Sequence, residues 1–170
     1  ITVQQAAEYL INADNILLLS HKNPDGDTVG SAGGLMHTLK KLGKNCAVAC
    51  NDEIPQKYDF LNLDIFKGQF IPDCIVAVDV ADTKLLGDKM AEYADNIDLC
   101  IDHHPSNTGY AKMVCCDGAL PAAAQLVLQV VQAMGVELDE SIANCLYTGL
   151  MTDTGCFKYS ATTAQTHIAA

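Results

Sequence analysis

The chain has 170 residues, nearly half of them apolar (49%), so it can bury the core of one sizeable domain. Its formal net charge is −11, and all ten basic residues are Lys, so the broad basic surface that grips long duplex nucleic acid is excluded. No apolar run is long enough to span a bilayer, and no basic segment followed by an apolar stretch marks a secretory signal.

In chain order, residues 1–13 have helical spacing of apolar positions, and the first residue is Ile1 rather than Met, so a start upstream is expected. Residues 15–20 (NILLLS) read as a buried strand, followed by the turn-rich HKNPDGD. Thr28 is expected to cap a helix that runs to Gly43. A second strand covers 46–50, a short helix 55–61, and a third strand 74–78, ending at Asp79. Residues 84–94 are predicted helical, 97–101 a fourth strand ending at Asp102, and 110–115 a fifth. Two helices follow, over 121–134 and 139–152, with Pro121 in a first helical turn. Residues 157–159 look strand-like, and Thr162 opens a further helical pattern. Strands alternating with helices define the fold class as α/β, a mostly parallel sheet of about five strands with helices on both faces.

None of the eight Cys residues forms a C-x-x-C pair, and several lie in apolar strand runs, so they read as reduced, buried side chains in a cytoplasmic protein. GSAGG is neither a dinucleotide fingerprint nor a phosphate-binding loop, because no Gly-Lys-Ser/Thr follows. NPDGD is not a calcium loop, since Val29 stands where an oxygen ligand is required. His37 and His167 are assigned to helix surfaces.

Three strands run into acidic or imidazole side chains: His21, Asp25 and Asp27 after the first, Asp79 after the third, Asp102, His103 and His104 after the fourth. Ligands in parallel sheets bind beyond the carboxyl ends of the strands, so these groups are expected on one edge, with Asp153 joining them from the end of a helix. So many carboxylates repel one another unless cations neutralise them, and oxygen with imidazole donors suits Mn, Mg or Zn. Paired ions sharing a carboxylate are a device for attacking phosphate esters.

The segments HKNPDGDTVGSAGGL, VAVDVAD, IDHHPSN and GLMTDTGCFKYS, in that order, resemble the DHH phosphoesterase superfamily. Within it, the chain is similar to the bacterial group acting on very short RNAs, linear dinucleotides and 3′-phosphoadenosine 5′-phosphate. The resemblance implies two divalent ions, Mn²⁺ foremost with Mg²⁺ or Co²⁺ as substitutes. His21 and Asp25 would bind one, Asp27, His103 and Asp153 the other, and Asp79 both. His104 would act on the substrate phosphate or leaving group, and Asp102 would orient an imidazole. Lys22 and Asn23 are weaker candidates for substrate contact. The implied organisation is a DHH metal-binding catalytic domain over residues 1–160, with 161–170 starting a linker helix to a C-terminal substrate-binding domain outside this chain. A related family shares the DHH motif in inorganic pyrophosphatases, and a third reading is a non-catalytic metal- or nucleotide-binding module. The expected partners are short RNA or small nucleotides, not long duplexes or membranes, with a homodimer left open. Where relatives carry a hydroxyl-rich helix start, this chain has Leu120-Pro121-Ala122-Ala123, so no hydroxyl contact to substrate is expected there.

Overall fold

The computed structural model describes residues 1–170. Five strands, β1 (Ile16–Leu19), β2 (Cys46–Ala49), β3 (Cys74–Val78), β4 (Leu99–Asp102) and β5 (Met113–Cys116), form one sheet in the order β2-β1-β3-β4-β5. Every pairing is parallel, with Leu18 opposite Val48 on one side and Val76 on the other. All four residues of β1 are buried because both sheet faces are covered, which is why the sequence shows a continuous apolar run rather than alternation.

The helices α1 (Val3–Asn12), α2 (Gly26–Lys41), α3 (Ala123–Ala133) and α4 (Glu140–Asp153) share the larger core, where Ile16 and Leu18 meet Leu35, Met36, Leu126 and Val130. Leu17 and Leu19 point the other way, into a smaller core with Ile75, Ala77, Leu86 and Ile97, closed over by 3₁₀ turns. A last short helix, α5 (Ala164–Ala169), is capped by Thr163. No helix is long and apolar enough to cross a membrane.

Four local expectations are corrected. Asp25, not Thr28, caps α2: its side chain accepts from the amides of Asp27 (3.0 Å) and Thr28 (3.1 Å). The Thr28 hydroxyl instead donates to the Val78 carbonyl at 3.2 Å, tying the helix to the end of β3. The predicted helix over 84–94 is two 3₁₀ segments, Thr83–Leu85 and Asp88–Asn96, because Gly87 at φ +78° breaks the ladder between them. Pro121 lies ahead of α3, whose N-cap is Ala122. Residues 157–159 form hydrogen-bonded turns rather than a strand, since Cys156 (φ 57°) and Phe157 (φ 63°) are left-handed.

GSAGG serves packing: a Cβ on Gly30 would lie 2.4 Å from the Cys145 carbonyl oxygen and 2.8 Å from the Gly149 nitrogen, so only glycine lets α2 approach α4 this closely. The other end of α2 stops at Gly43 (φ +78°), where the amides of Gly43 and Lys44 return to the carbonyls of Lys40 (2.8 Å) and Leu39 (3.0 Å).

Candidate metal centre

The connections leaving β1 and β3 run to opposite sides of the sheet, which opens a crevice between their carboxyl ends. His21 and Asp25 follow β1, Asp79 follows β3, and Asp102, His103 and His104 end β4. Asp27 lies in the first turn of α2, and Asp153 is the last residue of α4. Their side chains fall into three overlapping groups: His21, Asp25 and Asp79; Asp27, His103 and Asp153; and Asp79, His103 and His104.

Asp79 and His103 each belong to two of these groups, and Asp79 is the shared carboxylate. Its Oδ2 lies 3.6 Å from His21 Nε2, while its Oδ1 lies 3.5 Å from His103 Nε2 and 3.6 Å from His104 Nδ1. The residue is 3% exposed, yet its Oδ1 has no hydrogen-bond partner. A buried carboxylate oxygen left in that state is costly unless a cation meets it. His21 Nε2 is also 3.7 Å from Asp25 Oδ1, and His103 Nε2 is 3.7 Å from Asp27 Oδ2 and 3.5 Å from Asp153 Oδ2. These separations are long for hydrogen bonds. They are near the spacing of about 3.0–3.4 Å between two donors that share one ion at about 2.1 Å from each. The donor set therefore fits divalent cations.

The two imidazoles aimed inward are fixed from behind. Each of His21 and His103 places Nδ1 on a backbone carbonyl, of Lys22 (2.7 Å) and Leu120 (3.1 Å) respectively. A carbonyl only accepts, so Nδ1 carries the hydrogen and Nε2 turns its lone pair toward the carboxylates. His104 is arranged differently. Its Nδ1 bonds the fully buried Asp102 at 2.7 Å, leaving Nε2 free of protein partners on a half-exposed ring. Asn107 donates to the other Asp102 oxygen at 2.7 Å, a contact with no sequence signal beyond its place in DHHPSN.

Asp27 has its own support. The first amides of α3 donate to it, Ala123 at 2.6 Å and Ala124 at 2.9 Å, and the Ser31 hydroxyl adds a third bond at 3.0 Å. Where a hydroxyl-rich helix start is absent, Asp27 itself occupies the positive end of α3. Despite this, burial, reinforced by the nearby Asp153, pushes the Asp27 carboxyl up to about 6. Burial and the charges of Asp27 and Asp25 hold Asp79 well above the ordinary carboxylate range, and burial also raises Asp153. Asp25 is lowered: burial acts upward, but the nearby His21 ring and bonds from the Thr28 and Asp27 amides outweigh it. Asp102 is lowered likewise by His104 and Asn107 against burial, and its bond raises His104 in turn. Burial lowers His21, yet Asp25 more than compensates, so its net shift is upward.

The cavity over these groups is about 170 Å³, lined by His21, Asp25, Asp79, Leu85, His103, His104 and Asp153. Lys22 and Asn23 do not line it; their amides are used in the loop, Lys22 to the Leu85 carbonyl (2.7 Å) and Asn23 to Asp52 (2.8 Å). His37 bonds the Leu61 carbonyl (2.8 Å) and His167 stacks near Phe157, both away from the crevice.

A parallel α/β sheet thus carries, at the crevice of its strand ends, a cluster of aspartates and histidines able to hold divalent cations. Residues 15–150 match the DHH family, N-terminal domain, and the chain belongs to that family. It is 30% identical over 158 residues to the bifunctional oligoribonuclease and PAP phosphatase NrnA of Thermus thermophilus, covering 88% of this chain and 46% of that protein. An exopolyphosphatase-related protein from Bacteroides fragilis has the same fold, with a TM-score of 0.87 at 24% identity over 98% of this chain and 54% of its own. The fold also matches RecJ from Thermus thermophilus, solved in complex with Mn²⁺, with a TM-score of 0.58 at 18% identity over 89% of this chain and 24% of its own. The chain spans about half the length of the curated relatives it matches.

Proposed function

We propose that this chain is the metal-binding catalytic unit of a hydrolase that cleaves phosphoester bonds in short oligoribonucleotides, linear dinucleotides or 3′-phosphoadenosine 5′-phosphate. The observation that carries the reading is Asp79, whose two oxygens face two separate imidazole-carboxylate groups while Oδ1 has no partner of its own. His21 and Asp25 would hold one divalent ion, Asp27, His103 and Asp153 a second, and Asp79 would bridge them. Manganese is favoured by the oxygen and imidazole donors, and RecJ of similar fold was solved with it. The chemistry such a pair supplies is polarisation of the phosphoryl group and a nucleophile at neutral pH.

The side chains of the chain do the rest. Asp102, held by Asn107, keeps the His104 hydrogen on Nδ1 and presents Nε2 to the substrate. In its protonated form that nitrogen hands a proton to the departing oxygen or binds the phosphoryl oxygen. Residues 1–160 make up this unit, and 161–170 begin the helix toward a further, substrate-gripping domain. That division accounts for the absence of Arg and for Lys22 and Asn23 lying outside the cavity. The unpaired cysteines suit a reducing compartment, and a cytoplasmic setting is part of the proposal.

The test is to assay this chain and the intact protein, both loaded with Mn²⁺, on a ribodinucleotide and on pyrophosphate. The intact protein is expected to prefer the dinucleotide and to lose activity on chelation. The isolated chain is expected to have kcat/KM lower by about 100-fold, chiefly through KM, because positioning the substrate is a large part of phosphoryl-transfer catalysis. Preference for pyrophosphate, or equal kcat/KM in the two proteins, would contradict the reading.

A further inference from the structure

A cleft of about 650 Å³ lies beyond the carboxyl end of β2, wider than the crevice of about 170 Å³ over the metal ligands. It lies within the size range of small-molecule sites. Its apolar wall is Ile54, Tyr58 and Ile65, and its polar groups include Glu53, Asp59 and Asn62. Tyr58 is 6% exposed, and its hydroxyl, like the carboxylates of Glu53 and Asp59, makes no hydrogen bond within the chain. The cleft is rich in acceptors and poor in cations. Its one lining Lys, Lys89, has its ammonium tied to the Asn51 carbonyl at 2.7 Å. The Lys57 ammonium lies 4.8 Å from the centre of the Tyr58 ring, so the three carboxylates of Asp52, Glu53 and Asp59 still outnumber the cations. Such a site repels phosphate and suits a neutral, flat group with an apolar face and hydrogen-bond donors on its edge. Amino-bearing nucleobases have that chemistry.

The cleft and the metal crevice share a wall. The His21 ring faces Asp25 and Asp79, while its backbone carbonyl accepts the Cys50 thiol at 3.2 Å from the cleft side. Further along the wall, Asp52 accepts the Asn23 amide at 2.8 Å. The loop after β1 therefore separates metal ligands on one side from an apolar, acceptor-lined slot on the other. We infer that this cleft is a nucleobase subsite, which takes the base of a nucleotide whose phosphoester lies over the metal ligands. The inference rests on the proposed phosphoesterase reading for its substrate, but the cleft itself requires neither metal nor turnover.

The test begins with the wild-type chain in chelator, titrated with adenosine to about 10 mM and followed by amide NMR, a range that captures a millimolar site. Shifts are expected over residues 50–54 and 58–65, with ribose giving none. Ile54→Trp, which fills the cleft, should weaken the adenosine response about tenfold. In the Mn²⁺-loaded intact protein the same substitution should lower kcat/KM on a dinucleotide about tenfold relative to an aryl phosphodiester that has no base. No shifts, equal shifts with ribose, or shifts confined to residues 102–107 would overturn the subsite, as would an unchanged ratio between the two esters. Adenosine binding in the cleft of a protein that cleaves no phosphoester would sink the proposed function and leave the subsite standing.

Discussion

His103 and His104 are adjacent in sequence and their rings lie 4.4 Å apart, yet the chain prepares them for different tasks. The carbonyl behind His103 turns its Nε2 into the carboxylate cluster, whereas Asp102 behind His104 leaves Nε2 facing outward. His104→Ala should therefore lower kcat by about 100-fold while leaving the metal stoichiometry unchanged. Loss of metal with normal turnover per bound ion would exchange the two roles. The same cluster sets a pH dependence. In the metal-free chain Asp27, Asp79 and Asp153 have raised pKa values, so the folded state holds more protons than the unfolded state above about pH 4. Their contribution to stability is present at low pH and is lost as pH rises through the folded values, near 6 for Asp27. His21 and His104, also raised, stabilise below their unfolded value of 6.5 and lose that contribution above it. The Tm in chelator is thus expected to be higher at about pH 5 than at about pH 8, and saturating Mn²⁺ should reverse the trend by displacing these protons. A metal-free Tm that rises over that range would contradict the assigned environments.

At the scale of elements, the approach of α2 to α4 sets the distance between Asp27, near the start of one helix, and Asp153, at the end of the other. Gly30→Ala would drive a methyl group into the Cys145 carbonyl and the Gly149 backbone, neither of which can rotate away. The expected result is a loss of about 1–3 kcal/mol in a denaturant titration, with weaker metal binding because the helices part. Unchanged stability would show that the helices move freely and that their approach does not set the site. The start of α3 belongs to the same construction. Ala122 offers no capping side chain, and Asp27 from α2 takes the Ala123 and Ala124 amides in its place.

For the whole molecule, apolar runs such as NILLLS and CIVAV suffice to read the strands, because a sheet covered on both faces leaves no polar alternation to confuse them. A parallel order for those strands is enough to gather His21, Asp79 and the Asp102–His104 segment at one edge. What is illegible in the sequence depends on contacts between distant residues. The capping of α2 by Asp25 rather than Thr28, the capture of Asp27 by α3, and the Asn107 support of Asp102 have no periodic signal. The break at Gly87 is a single backbone angle inside an otherwise helical pattern. The cleft beside β2 is likewise invisible in the sequence, since its walls come from a loop, a 3₁₀ turn and Ile65, none with a shared motif. The central claim, that Asp79 joins two metal sites into one centre, is tested most directly by calorimetric titration of Mn²⁺ into the wild-type chain and Asp79→Ala. Two ions per chain are expected in the wild type and no paired binding in the variant, whereas two intact sites in Asp79→Ala would contradict it.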